Sequence, residues 1–253
     1  MPNISFRSAN ATRDRRTEHL RAMRSRFFLA GITLALAAAV GVVAQQAGVV
    51  APPGVHPISG RRFAQVMGAA GAAWLDRPER IEEEQPDRAL DVLKIPKGGV
   101  VADVGAGSGY FTVKLADRVG PTGKVYAADI QPEMLRLLGL RLTRDRISNV
   151  TPVQGDVDNP RLPAAALDLV LMVDVYHEFS APQTMLRHLR DALKPDGRLV
   201  LLEYRKEDPS IPIREDHKMS VAEAKLEVEA EGFTLSQVNE SLPRQHILVF
   251  TKR

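Results

Sequence analysis

The chain has 253 residues, a length that allows one substantial domain. Hydrophobic residues make up 44% of it, a fraction that is sufficient for a core and argues against long-range disorder. Its net charge of +3 arises in residues 1–44, where seven Arg outweigh Asp14 and Glu18, so the remainder is mildly acidic and has no basic stripe for nucleic acid. The absence of cysteine excludes disulfides, Cys–zinc sites and thiol catalysis.

An uncharged apolar run occupies residues 27–44 and follows Arg21, Arg24 and Arg26. This layout is typical of a secretory signal peptide, with cleavage after Ala44. An uncleaved membrane anchor is the alternative, because eighteen helical residues span roughly 27 Å. A buried helix of the domain fits least well, since Pro52-Pro53-Gly54 follows.

The basic flank precedes the apolar run and keeps the N-terminus in the cytoplasm. We therefore expect the domain to be exported to the periplasm or anchored at the inner membrane by residues 27–44, with no other membrane contact. A cytoplasmic location follows only if the true start or the topology differs, and Met23 is an alternative start.

Residues 45–60 contain Pro and Gly without periodicity, which predicts a linker between residues 1–44 and a domain spanning 61–253. Residues 61–93 predict a helical cap, with one helix from Arg62 to Trp74 and another through Ile81 to Leu93. Glu82-Glu83-Glu84 predicts a solvated helix face and not a metal site, because consecutive helical residues point in different directions and cannot converge on one ion. The sequence predicts no metal site elsewhere.

From Val100 onward, predicted strands alternate with predicted helices. The strands are 99–104, 124–129, 150–154, 168–173, 198–204, 233–238 and 246–252, and the helices are 109–118, 132–142, 182–193 and 219–231. This order predicts an α/β fold with a doubly wound, mostly parallel seven-stranded sheet of the Rossmann-like kind. The last two strands have no helix between them and should pair antiparallel.

A glycine-rich turn joins the first strand to the helix that follows it. Gly105, Gly107 and Gly109 allow a sharp turn and the close approach of a ligand. A dinucleotide fingerprint would need glycine where Tyr110 stands, and Asp103 would repel a pyrophosphate. The turn therefore favours a cationic or hydroxyl-bearing ligand.

Acidic residues follow the first four predicted strands, namely Asp103, Asp129, Asp156 and Asp174. In open α/β sheets the ligand lies beyond the carboxyl ends of the strands, where these side chains should gather. Asp129 stands 20 residues after Gly109, a position that usually holds a ribose through its hydroxyl groups.

The run VADVGAGSGYF, the acids after the later strands and the turn LKPDGRL (193–199) together resemble the class I S-adenosylmethionine-dependent methyltransferases. The resemblance covers roughly residues 75–253. Within the class, the segments QPDRAL (85–90), DVYHEF (174–179), EYR (203–205) and DHKMS (216–220) are similar to small bacterial predicted methyltransferases related to the ubiquinone/menaquinone C-methyltransferase type.

The resemblance implies S-adenosylmethionine as the cofactor and gives roles to the matched residues. Asp103 would lie near its ammonium, Asp129 would bind the ribose, Asp156 the adenine amino group and Asp174 the amino acid or methyl end. The full set of implied cofactor-binding residues is Asp103, Gly105, Ala106, Gly107, Gly109, Asp129, Ile130, Asp156, Val157 and Asp174. A plain turn remains the alternative for Asp156.

The acceptor is expected near Tyr176-His177-Glu178, which follows the fourth strand. His177 titrates in the range of a general base, and Glu178 is placed to orient it; the alternative is that His177 only packs in the loop. Tyr176, Tyr204 and His217 complete the predicted acceptor pocket, although Tyr204 also fits a core position and His217 a solvated loop.

No Asn-Pro-Pro-Tyr motif follows the fourth strand, which argues against DNA adenine and protein glutamine as targets. A methyltransferase acting on a small molecule is therefore the leading interpretation. The alternative is an exported, non-catalytic binding protein that keeps the fold, because the apolar segment directs the domain away from the compartment where the cofactor is made. The oligomeric state cannot be read from the sequence.

Overall fold

The computed structural model describes residues 53–253. The predicted signal peptide or anchor at residues 27–44 lies outside this range and stays a prediction. Among residues 53–253, no helix combines the length and the apolar character needed to cross a membrane.

A mixed eight-stranded sheet organises the described residues. Its strands are β1 (Val100–Val104), β2 (Lys124–Asp129), β3 (Val150–Gln154), β4 (Leu167–Val173), β5 (Leu193–Arg205), β6 (Lys218–Met219), β7 (Phe233–Asn239) and β8 (Gln245–Lys252). Its order is β3-β2-β1-β4-β5-β8-β7, with the short β6 paired to β5. All pairs are parallel except β5–β8 and β7–β8, so the mostly parallel sheet and the antiparallel last pair are confirmed.

Seven α-helices surround the sheet in the described part of the chain. They are α1 (Ala72–Leu75), α2 (Arg80–Glu84), α3 (Pro86–Leu93), α4 (Tyr110–Val119), α5 (Pro132–Arg144), α6 (Pro182–Ala192) and α7 (Val221–Ala230). The last four lie within two residues of the predicted helices. The helices α4, α5 and α6 each have a clear apolar face, whereas α7 lacks one and begins with a capping box between Ser220 and Glu223. Buried clusters on both faces of the sheet form the core.

The predicted helices of the cap are shorter than expected. Residues 62–68 are not helical, and the first helix is reduced to a 3-10 turn at Ala69–Gly71 followed by α1. The second predicted helix breaks at Gln85, which has a φ of 49°. The break follows from Pro86, because a proline disfavours helical geometry in the residue before it.

Residues 53–61 form a compact turn rather than an open linker. The Arg61 guanidinium binds both carboxylate oxygens of Glu227 on α7, at 3.1 and 3.0 Å, and the Ser59 hydroxyl donates to the same carboxylate. Arg61 and Glu227 are both buried. The same guanidinium donates to the backbone carbonyl of His177, so this turn is tied to the loop after β4.

The order of the sheet creates a crevice between β1 and β4. The strands β2 and β3 lie on one side of β1, and β4 and the later strands lie on its other side, so the strand order reverses at this point. Such a switch point is where open α/β sheets bind ligands. The glycine turn after β1 and the loop after β4 both lie at this point.

Candidate active site

The glycine turn requires glycine for two independent reasons. Gly105, Gly107 and Gly109 have φ values of 75°, 55° and 91°, in the left-handed region that other residues rarely adopt. A Cβ on Gly105 would also lie 2.4 Å from the Val175 side chain, and one on Gly109 would lie 2.4 Å from Leu138. The backbone therefore runs in close contact with the loop after β4 on one side and with α5 on the other.

Asp129, at the end of β2, connects this turn to the start of α5. Its Oδ2 accepts from the Gly107 backbone nitrogen at 2.8 Å, and its Oδ1 accepts from the Gln131 nitrogen at 2.8 Å. Burial raises the pKa of Asp129, while these backbone hydrogen bonds lower it. A carboxylate oxygen can accept more than one hydrogen bond, so the fixed carboxylate of Asp129 keeps acceptor capacity for a ligand.

Asp103 lies behind the turn. It is buried, and its Oδ2 accepts from the Thr112 hydroxyl at 2.6 Å. Burial, reinforced by the nearby Asp129 carboxylate, raises the pKa of Asp103 to about 6. It does not line the cavity described next, and neither do Ala106 or Gly109. Asp103 thus fixes Thr112 and with it the start of α4 below the turn.

A cavity of about 660 Å³ opens at the crevice, within the range of small-molecule sites. Eleven of the residues that the sequence singles out for the cofactor or the acceptor line it, namely Gly105, Gly107, Asp129, Ile130, Asp156, Val157, Asp174, His177, Glu178, Tyr204 and His217. These residues come from the ends of β1 to β5 and from the loop before β6, so the topology brings together most of the site predicted from the sequence.

Asp174 directly follows β4 and lines this cavity in an unusual environment. Its φ of 50° is left-handed, and its Oδ1 is buried without a hydrogen-bond partner among residues 53–253. Gln245 donates to the other oxygen at 2.8 Å. Burial and the nearby Glu84 and Glu203 raise the pKa of Asp174 well above its usual value. A cation bound beside the unpartnered oxygen would favour the ionised form of Asp174, so this position on the cavity wall is suited to a cationic ligand group.

Asp156, Val157 and Ile130 form a more exposed part of the wall. Asp156 is exposed and pairs with Arg161 at 2.8 Å. Val157 and Ile130 are 58% and 38% exposed, although both are apolar. Exposed apolar side chains on a cavity wall are suited to packing against a flat ring.

His177 is held by a carboxylate that sequence reasoning assigned no role. Its Nδ1 lies 2.6 Å from Glu203 Oε2, and Glu203 is fixed by the Tyr176 backbone nitrogen, which donates to its other oxygen at 3.0 Å. Burial lowers the pKa of His177, but Glu203 outweighs it and leaves the value raised. The residue that orients His177 is therefore Glu203 rather than Glu178, because Glu203 lies beside it on the adjacent strand β5.

The other nitrogen of His177 faces a second imidazole. His177 Nε2 lies 3.1 Å from His217 Nδ1 in the loop before β6. Burial lowers the pKa of His217, and so does His177. His217 is thus part of the cavity wall and not a solvated loop residue.

Glu178 supports the segment that covers the cavity. Its Oε1 accepts from the Met67 backbone nitrogen at 3.3 Å, and the Met67 carbonyl accepts from Gln131 Nε2 at 3.0 Å. Burial raises the pKa of Glu178 to about 7. Residues 65–67 therefore lie on the cavity and connect the loop after β4 with the start of α5.

Tyr176 does not take the position that the sequence predicts. Its side chain is fully buried in the core cluster and does not line the cavity. The Arg61 guanidinium lies 5.7 Å from its ring centroid, and Phe179 packs edge-on against it. The 3-10 turn at Tyr176–Glu178 explains the difference, because successive residues of a tight turn cannot all face one side.

The sequence indicated no role for Arg80 of the cap, and the solvated face predicted for Glu84 is wrong because its side chain is fully buried. The Arg80 guanidinium binds Glu84 at 2.6 Å, and the Tyr204 hydroxyl donates to Glu84 at 2.8 Å. All three side chains are buried. Two features of the sequence could have indicated these residues. Glu203 is a single carboxylate within the apolar strand 198–204, and Arg80 and Glu84 are oppositely charged residues at helical spacing.

Comparison with known proteins agrees with this geometry. A family model described as a methyltransferase domain matches residues 101–197. The ubiquinone/menaquinone biosynthesis C-methyltransferase UbiE of Pseudomonas fluorescens is 37% identical over 123 residues, which are 47% of this chain and 46% of that protein. The UbiE of Pasteurella multocida is 34% identical over 119 residues, 46% and 44% of the two chains. The chain thus spans less than half the length of these curated relatives.

Solved structures give broader coverage. A SAM-dependent methyltransferase from Aquifex aeolicus is 27% identical and has a TM-score of 0.69, covering 73% of this chain and 98% of that one. The O-methyltransferase NcsB1 from neocarzinostatin biosynthesis, at 18% identity and a TM-score of 0.61 over 73% and 58% of the two chains, shows the fold alone. These similarities support a class I S-adenosylmethionine-dependent methyltransferase fold for the described domain.

Proposed function

We propose that this class I methyltransferase domain transfers the methyl group of S-adenosylmethionine to a small-molecule acceptor bound near His177. The observation that carries the proposal is the cavity at the β1–β4 crevice, which joins the glycine turn and Asp129 to the His177–His217 pair in one space. The methyl donor and the acceptor would therefore bind in the same cavity.

The residues of the cavity fit S-adenosylmethionine, which carries a positive sulfonium, an ammonium, ribose hydroxyls and a flat adenine. Asp174 supplies a buried, unpartnered carboxylate oxygen, the counterpart that a cationic group needs. Gly105 and Gly107 leave backbone without side chains at the cavity wall. When bound, S-adenosylmethionine would supply an already activated methyl group.

Each acidic residue of the cavity has a distinct role in this proposal. Asp129 is fixed by two backbone hydrogen bonds and accepts from the ribose hydroxyls. Asp174 binds the amino acid end, and Asp156 with Val157 and Ile130 binds the adenine. Asp103 acts indirectly, since it fixes Thr112 and with it the start of α4.

The acceptor end is assigned to His177, Glu178 and His217. Methyl transfer requires alignment of the acceptor with the methyl group and removal of a proton from a weakly nucleophilic acceptor. Glu203 holds the Nδ1 side of His177, which leaves Nε2 on the His217 side as the proton-accepting nitrogen. Glu178 holds Met67 and thereby the wall of the acceptor space.

The lining of the cavity favours an acceptor with substantial apolar surface. Val66 and Trp74 line it while remaining 46% and 44% exposed, and Phe179, Met185 and Ile213 add further apolar surface. Binding would cover this apolar surface, which is favourable in proportion to its area. A small polar metabolite would leave most of it exposed to water.

The test is methyl transfer by the full-length protein. Purified protein is incubated with S-adenosylmethionine labelled in the methyl group and with a small-molecule extract that includes solvent-soluble compounds. We expect label in an extractable product together with S-adenosylhomocysteine, and a lower rate for His177→Gln than for the control His188→Ala, which lies on α6 away from the cavity. Cofactor binding without any label transfer across such extracts would contradict the proposal.

A further inference from the structure

The most unusual feature of the acceptor end is a convergence of metal-ligating atoms. One ligand atom each from His177, Glu178 and His217 lie within 4.8 Å of one another. Two histidines and one carboxylate form a donor set suited to divalent transition metals. We propose that this cluster, the His177–Glu178–His217 site, binds one divalent transition-metal ion of the zinc type.

The spacing of the imidazoles supports this site. His177 Nε2 and His217 Nδ1 are 3.1 Å apart. Two nitrogens bound to one tetrahedral zinc at about 2.0–2.1 Å lie roughly 3.3 Å apart, so both rings need only a small shift to share an ion. The rings are also steeply inclined, at 68°, with their centroids 5.0 Å apart. They meet through their nitrogens and do not stack face to face.

Glu203 gives His177 the protonation state that a metal ligand needs. Nδ1 donates a hydrogen bond to the carboxylate 2.6 Å away, so in the neutral ring the lone pair is on Nε2. Metal-ligating histidines commonly donate their other ring nitrogen to a carboxylate in this manner. Glu203 is fully buried and fixed at its second oxygen by the Tyr176 nitrogen, so it keeps the ring in one orientation.

Glu178 completes the site from the same 3-10 turn as His177. One of its oxygens accepts from Met67. A rotation of the carboxylate would bring an oxygen to the ion, and three protein ligands leave a further position for a group in the cavity.

The location indicates what the ion would do, and this step alone rests on the proposed function. The three ligands line the same cavity as Asp129 and Gly105. With an ion bound, His177 Nε2 is a ligand and no longer the base. The ion lowers the pKa of a coordinated acceptor hydroxyl, which would then give its proton to water before the methyl group is transferred to its oxygen. The site favours hydroxyl-bearing acceptors over acceptors without a ligating oxygen.

The test measures metal binding directly, without reference to methyl transfer. Tag-free full-length protein is stripped with chelator and titrated with Co²⁺, followed by its visible absorption, and with Zn²⁺, followed by calorimetry. We expect the protein to bind one equivalent of Co²⁺ with a low coordination number. His217→Ala and Glu178→Gln should each weaken binding by at least about tenfold, and Glu203→Gln should weaken it by about tenfold or more through loss of the orienting hydrogen bond.

His188→Ala and Glu82→Gln serve as matched controls, because both residues lie away from the cavity. Binding of S-adenosylmethionine is measured on every sample to show that each variant is folded. Absence of stoichiometric metal binding, or equal affinity in wild type, His217→Ala and Glu178→Gln, would overturn the metal site. In that case the contact between His177 and His217 is only a hydrogen bond between their two imidazoles. Cofactor binding and methyl transfer by the stripped protein would then leave the proposed function intact.

Discussion

Asp129 Oδ2 lies 2.8 Å from the backbone nitrogen of Gly107, so the carboxylate that ends β2 holds the glycine turn that follows β1. The same carboxylate binds the Gln131 nitrogen through its other oxygen. The two neighbouring strands thus present one rigid acceptor at the crevice. Because its position is already fixed, a ligand that binds it loses no free energy to ordering that side chain.

The contact between Gly105 and Val175 predicts that the turn does not tolerate a side chain. Gly105→Ala would place a Cβ 2.4 Å from Val175 and force a left-handed conformation on alanine. We expect a loss of about 2–5 kcal/mol in the free energy of unfolding, from about 1–2 kcal/mol of backbone strain and about 1–3 kcal/mol of overpacking. Urea denaturation measures the change.

Gly139→Ala is the matched control for that substitution. Gly139 lies within α5, and a Cβ there would meet nothing within 4 Å. Alanine is the better helix former, so this variant should gain up to about 1 kcal/mol. Equal behaviour of the two variants would mean that the turn is not as tightly packed as described.

Asp103 predicts a specific pH dependence of stability. Its folded pKa of about 6 lies above its usual 3.8, so the folded protein holds more protons than the unfolded chain between these values. The free energy of unfolding should therefore fall as the pH rises from about 4 to about 6. At about 1.36 kcal/mol per pKa unit, this one group contributes about 3 kcal/mol to the decline.

Asp103→Asn removes this titration and keeps an acceptor for Thr112. The stability of the variant relative to wild type should rise by about 3 kcal/mol between pH 4 and pH 7, as measured by urea denaturation across that range. Asp117→Asn, an exposed change on α4, should show no such trend. A pH-independent difference for Asp103→Asn would show that its carboxylate titrates normally in the folded protein.

The buried pair of Arg61 and Glu227 predicts that the turn at residues 53–61 stabilises the domain. Arg61→Ala would leave Glu227 buried without its bidentate partner, although His56 Nε2 lies 3.4 Å from that carboxylate. Loss of one partner of a buried ion pair costs about 3–5 kcal/mol. The exposed neighbour Arg62→Ala should stay within about 0.5 kcal/mol of wild type. Similar unfolding curves for both variants would contradict the packing of this turn.

Much of the fold could be predicted because periodicity and turn chemistry agree from Val100 onward. The strands and helices of that region recur nearly at their predicted bounds, except that β5 begins at Leu193 instead of 198 and the short β6 was not predicted. The helix predicted from Arg62 to Trp74 is mostly absent, because its apolar residues pack as a covering segment whose backbone binds Glu178 and Gln131. Such long-range partners leave no periodic trace in the sequence.

The site could be predicted where a residue's role depends on its position at a strand end, and not where it depends on side-chain direction. Asp129, Asp174 and His177 all line the cavity as expected. Tyr176 precedes His177 by one residue and turns into the core instead. Glu203 reaches His177 across two adjacent strands, a pairing that only the sheet order reveals.

The most direct test of the account is calorimetric titration of the full-length protein with S-adenosylmethionine, in wild type, Asp129→Ala and the exposed control Asp117→Ala. We predict saturable binding to wild type and to the control. We also predict a loss of about 10- to 100-fold for Asp129→Ala, as expected when hydrogen bonds to a charged group worth about 1.5–3 kcal/mol are removed. No binding to wild type, or equal binding to all three proteins, would contradict the assignment of this crevice as the methyl-donor site.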